Sequence, residues 1–86
     1  MSKVTKKILE YTVVFEPADE GGYIARIPSL NNIATQGETF EEAVINIQDA
    51  IRGVISVMEE EKLEVPQEKP NTVFSRVSVD YPFAIA

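Results

Sequence analysis

From Phe40 onward the apolar residues fall at Phe40, Ala43, Val44, Ile47, Ile51, Val54, Ile55 and Met58, the i, i+3, i+4, i+7 spacing of one helical face. Glu41, Glu42, Asn46, Gln48, Asp49, Arg52, Ser56 and Glu59 take the other positions. The pattern predicts a helix from about Phe40 to about Glu61. Thr39-Phe40-Glu41-Glu42 fits a capping box: the Thr39 oxygen serves the first turn while Glu42 reaches back to the cap's amide. Gly37 ahead of it suits a turn.

Upstream the period changes to two. Between Lys7 and Glu16, Leu9, Tyr11, Val13 and Phe15 alternate with Ile8, Glu10, Thr12, Val14 and Glu16, which predicts a strand with one apolar and one mixed face. Pro17 ends it. Pro17 through Gly22 is dense in turn residues, and Tyr23-Ile24-Ala25-Arg26-Ile27 alternates again with Tyr23, Ala25 and Ile27 on the core face, giving a hairpin with a long loop. Pro28 to Asn32 makes a second turn and Ile33 to Gln36 a short third strand. Beyond the helix, acidic Glu59-Glu60-Glu61 opposes the macrodipole and favours fraying. Residues 63–71 contain Pro66 and Pro70 and form a linker. Thr72 to Tyr81 then alternates Val73, Val77, Val79 and Tyr81 against Phe74, Arg76, Ser78 and Asp80, a fourth strand expected to return beside the first, because a helical crossover favours parallel pairing. The prediction is an α+β, β-β-β-α-β two-layer domain: a mixed four-stranded sheet with one long helix on one face.

With 86 residues the chain has room for one domain, residues 1–86, with a frayed N-terminus at residues 1–6 and no DNA-binding module after Pro70. Burial is modest at this size, so oligomerisation is expected to assist. Ile45 lies off the helical stripe, and Ile8, Val14, Ile24 and Phe74 interrupt the outer sheet face. Such a half-apolar outer face suggests self-association or a partner, although scattered exposed apolar residues are normal. Gly53 in mid-helix predicts a close backbone approach. No apolar run reaches the ~18 residues of a membrane span and the N-terminus lacks an apolar signal core. A cytoplasmic location is expected.

Charge narrows the function. The net charge is −6, and because Lys3, Lys6 and Lys7 are at the N-terminus, the remainder carries five basic against fourteen acidic groups. A body this acidic argues against phosphate-backbone binding and fits a cationic partner. There is no Cys and no His, which removes thiolate and imidazole chemistry. A carboxylate metal site, and with it a minimal metal-dependent nuclease, is one remaining enzymatic reading. Glu10 and Glu16, six residues apart on one strand face, are about 20 Å apart, too far for one ion, and Asp80 could approach only one of them. Solvated charges on an open sheet face account for the same residues. The loop Asp19-Glu20-Gly21-Gly22 could seat a cation or a basic partner, or be simply a hairpin turn.

Gly22-Tyr23-Ile24-Ala25-Arg26-Ile27-Pro28-Ser29-Leu30, then Ala34-Thr35-Gln36-Gly37-Glu38-Thr39-Phe40-Glu41-Glu42-Ala43 and Asn46-Ile47-Gln48-Asp49-Ala50-Ile51, together resemble the HicB-type antitoxins. The likeness covers about Tyr11 to Met58. It implies a reduced ribonuclease-H-like fold and a non-enzymatic antitoxin of a type II toxin-antitoxin pair. Such an antitoxin binds and occludes a small basic HicA-type toxin that degrades mRNA, with no cofactor. Ser29-Leu30-Asn31-Asn32 departs from the family's usual second turn. Under this resemblance, partner contacts are expected on the acidic loops and sheet surface, at Glu16, Asp19, Glu20, Tyr23, Asn31 and Asn32. The alternative is a homo-oligomeric interaction scaffold, dimer or tetramer.

Overall fold

The structure, a computed structural model, describes residues 8–83. The expected frayed N-terminus and the last three residues of the apolar tail lie outside them. Three strands, β1 (Val14–Pro17), β2 (Tyr23–Ile27) and β3 (Ile33–Gly37), form an antiparallel sheet in the order β1-β2-β3. The helix α1 (Phe40–Glu60) follows β3 and packs on one face.

β1 is shorter than the alternation predicts. Its ladder with β2 begins at Val14↔Arg26, and two steps further back, opposite Thr12, the partner strand has run into Pro28, which has no N–H to donate and opens a 3-10 turn, Pro28–Leu30. The backbone amide of Thr12 instead donates to the Glu68 carboxylate at 2.6 Å. Pro17 is the last residue of β1, at the sheet edge, where a missing donor costs nothing.

The pleat sorts the side chains as the period of two requires. Ala25 and Ile27 are buried and pack with Leu30, Ala43 and Ile47, while Tyr11, Val13, Phe15, Tyr23, Ile33, Ala50 and Ile51 surround them half-buried. Leu30, part of a segment that reads as a turn, is a core residue. It reaches the interior because Asn31 and Asn32 both adopt left-handed φ of 57° and turn the chain back, with the Asn32 amide donating to the Ile27 carbonyl at 3.0 Å.

α1 starts where the capping residues place it: Thr39 Oγ1 accepts from the Glu42 amide at 3.0 Å. The return bond differs from the expected one, since Glu42 Oε1 accepts from the Glu38 amide at 3.2 Å, one residue ahead of the cap. The far end is closed rather than frayed. Lys62 takes a left-handed φ of 58°, its amide donates to the Glu59 carbonyl, and the Leu63 amide donates to the Met58 carbonyl, the Schellman pattern.

Two further expectations change. Nothing lies within 4 Å of where a Gly53 Cβ would sit, so this glycine, on the exposed side of α1, marks no backbone approach. The fourth strand is not paired: among the described residues the sheet has three strands, and residues 72–83 are exposed throughout. Glu68 ties the linker to Thr12 and Ser29, and the residues that follow make no ladder with β1.

Candidate functional site

The β1–β2 hairpin loop and the β3–α1 junction meet at one end of the sheet. The register aligns Pro17, Tyr23 and Gly37 in one row, so the loop after Pro17 and the loop after Gly37 lie side by side. Gly21 and Gly22 adopt φ of 99° and 76° and let the hairpin turn tightly; the Ala18 amide donates to the Gly22 carbonyl and the Gly21 amide to the Ala18 carbonyl, each at 3.0 Å. A Cβ on Gly22 would meet the Gly37 carbonyl oxygen at 2.3 Å, and one on Gly37 would meet the Ala43 amide nitrogen at 2.3 Å. The two glycines therefore bring hairpin, strand end and helix start into backbone contact.

An open groove of about 800 Å³ lies over this junction, and its lining includes Asp19, Glu20, Tyr23, Gln36, Glu38 and Glu42. Four carboxylates line it and no lysine or arginine does. Of its lining residues Tyr23 packs inward, edge-on to Phe40 at 6.0 Å, and Phe40 in turn lies 4.7 Å from Phe15, ring centre to ring centre. The groove can hold cationic side chains by charge and seat an aliphatic stem against Ile24.

Of the six expected contact residues, Asp19, Glu20 and Tyr23 line this groove. Glu16 is on the neighbouring outer sheet face, where it is bonded to Arg26. Asn31 and Asn32 are at the opposite end of the sheet, past the Ile27↔Ile33 row, and do not join the others. Glu38 and Glu42 are further groove residues, of which capping accounts only for Glu42; their signal in the sequence is the acidic pair on either side of Thr39, at the end of the helix that faces the hairpin.

A second polar cluster ties the linker to the segment before β1. Glu68 accepts from the Thr12 amide, the Thr12 hydroxyl at 2.7 Å and the Ser29 hydroxyl at 2.9 Å, and the Tyr11 hydroxyl donates to the Pro66 carbonyl at 2.6 Å. The Thr12 hydroxyl and amide hold the Glu68 carboxyl below its ordinary pKa, with Ser29 adding to them against partial desolvation. Burial, and then the Glu68 charge, raise the Tyr11 phenol above its own. Asp80 is on the exposed segment beyond the linker, and among the described residues no three acidic side chains come together to hold a metal ion. Within the same residues no helix is long and apolar enough to cross a membrane.

No family model matches the chain, and no solved structure matches it. Curated relatives do. A UPF0150 protein of Synechocystis is 43% identical over 68 residues, covering 79% of this chain and 86% of that one. A UPF0150 protein of Thermoplasma acidophilum is 32% identical over 65 residues, 76% of this chain and 94% of that one. The antitoxin HicB 1 of Photorhabdus laumondii is 32% identical over 80 residues, 93% of this chain, which spans 50% of the antitoxin's length. With UPF0150 proteins matched over most of their length and an antitoxin HicB matched over nearly all of this chain, the chain belongs to the UPF0150 family, a HicB-type family.

Proposed function

We propose that this chain is a non-enzymatic antitoxin of a type II toxin-antitoxin pair, acting in the cytoplasm by binding and occluding a small basic HicA-type toxin that degrades mRNA. The observation that carries the reading is the groove with four carboxylates and no lining cation, in a chain matched over 93% of its length to an antitoxin. A basic surface brought to such a groove is steered by complementary charge and docks against Ile24. Asp19, Glu20, Glu38 and Tyr23 are the proposed contacts, with Glu16 at the rim; Asn31 and Asn32 would serve a second contact at the other end of the sheet. Residues 1–86 act as one binding unit, contact no nucleic acid directly and self-associate.

The test is co-expression with a small basic protein encoded beside this chain's gene, and the absence of such a gene removes the proposal. Rescue of growth together with a co-purifying complex is the expected result. Toxicity that persists, or two proteins that elute apart, removes the proposal.

A further inference from the structure

Two apolar features of this molecule have matching form and do not meet. The first is the C-terminal arm beyond Thr72. It alternates like a strand, yet Val73, Val77 and Val79 are each 84% exposed and Tyr81 is 72% exposed, all on one side of a period of two. The second is an open groove of about 680 Å³ between residues 9–15 and α1, lined by Leu9, Tyr11, Val13 and Phe15 on one wall and by Val44, Ile47, Ile51 and Ile55 on the other. No arm residue lines it. Beside this groove the outer edge of β1 has no strand partner among the described residues, the kind of edge that folded proteins pair or cover.

The shape of the chain shows where the arm goes. Its radius of gyration is 17.4 Å and its longest dimension 70 Å against 30 and 21 Å, whereas a compact chain of this length has a radius of about 12 Å. Glu68 fixes the linker to Thr12 and Ser29, and the Lys69–Thr72 turn that follows sends the arm outward. Ten extended residues reach about 33 Å, enough to cross to a neighbouring molecule.

We propose that the arm of one copy seats in the groove of a second copy and pairs along the outer edge of its β1, with the exchange made reciprocally. Val77, Val79 and Tyr81 enter between residues 9–15 and α1, and the arm supplies each sheet with the fourth strand that the period of two predicts. Donor and acceptor surfaces are the same in both copies, so the exchange closes under a two-fold rotation and stops at a dimer. The acceptor groove opens between strand and helix, away from the acidic groove at the hairpin end, and the inference stands independently of toxin binding.

The test uses the full chain, which has no cysteine. A nitroxide is attached through Val79→Cys on unlabelled protein, and this is refolded together with 15N-labelled cysteine-free protein. The expected result is a mass of two 9.6 kDa chains by light scattering. In an equimolar mixture half of the 15N copies have a nitroxide-bearing partner, so the amide signals of Ile47 and Ile51 should lose up to half their intensity, recovered when the nitroxide is reduced. Unaffected signals in the mixture overturn the proposal, including the case in which a label on the 15N chain itself broadens them, which means docking into its own groove. Val77→Asp with Val79→Asp, both on the exposed arm and so harmless to the fold of each copy, should give a 9.6 kDa monomer; a dimer that survives both changes also overturns it.

Discussion

Glu68 accepts hydrogen bonds from both the backbone N–H of Thr12, at 2.6 Å, and the Thr12 hydroxyl, at 2.7 Å. This single carboxylate therefore fastens residues 63–71 to the segment before β1. Its pKa is lowered in the folded chain, so its contribution is full above the unfolded carboxylate pKa and is lost as pH falls through the folded one. Glu68→Gln should cost about 1 kcal/mol at neutral pH, the clasp being only partly shielded from solvent. Thermal melting of both proteins against pH checks this. The difference should shrink in acid, below the ordinary carboxylate range.

Gly37 and Gly53 should respond to alanine in opposite directions. A Cβ at Gly37 would sit 2.3 Å from the Ala43 amide nitrogen and 2.7 Å from its Cα, against helix backbone that cannot yield cheaply. Gly37→Ala should destabilise by about 3 kcal/mol. At Gly53 the added methyl meets open space, and Gly53→Ala should stabilise by roughly 0.5–1 kcal/mol through helix propensity. Urea denaturation midpoints give both values.

Thr35 Oγ1 is buried without a hydrogen-bond partner. The isosteric change Thr35→Val removes an unsatisfied polar atom and should stabilise by about 1 kcal/mol. A lower denaturation midpoint for the variant would mean that the hydroxyl has a partner in solution.

Much of this architecture is legible in the residues, and the illegible parts have identifiable causes. Helical spacing from Phe40 and the Thr39 cap locate α1 to within one residue at its end, and the alternation of Tyr23 to Ile27 gives β2 as observed. These are local signals in which each residue's preference agrees with its neighbours. β1 is overestimated because strand length depends on the partner strand, and Pro28 closes that ladder from outside the segment. Leu30 escapes notice because a buried side chain in a turn has no period. The fourth strand has the right alternation, but alternation carries no information about which edge, or which copy, will pair with it. At the candidate site, Asp19, Glu20 and Tyr23 are visible as an acidic turn beside an aromatic, whereas Glu38 and Glu42 join them only through the Tyr23↔Gly37 register, a long-range fact.

Binding of a basic partner by the acidic groove is read out in the affinity of a small basic protein encoded beside this chain's gene for two charge-reversed variants. Asp19→Lys with Glu20→Lys reverses the groove while sparing Glu42, whose carboxylate accepts from the Glu38 amide. Asp49→Lys with Glu59→Lys makes the same charge change on exposed positions of α1 outside the groove. By calorimetry the groove variant should bind at least tenfold more weakly, about 1.4 kcal/mol, with the helix variant within about threefold of the unmodified chain. Equal losses in the two variants, or none in the groove variant, would mean that the acidic groove is not the binding surface.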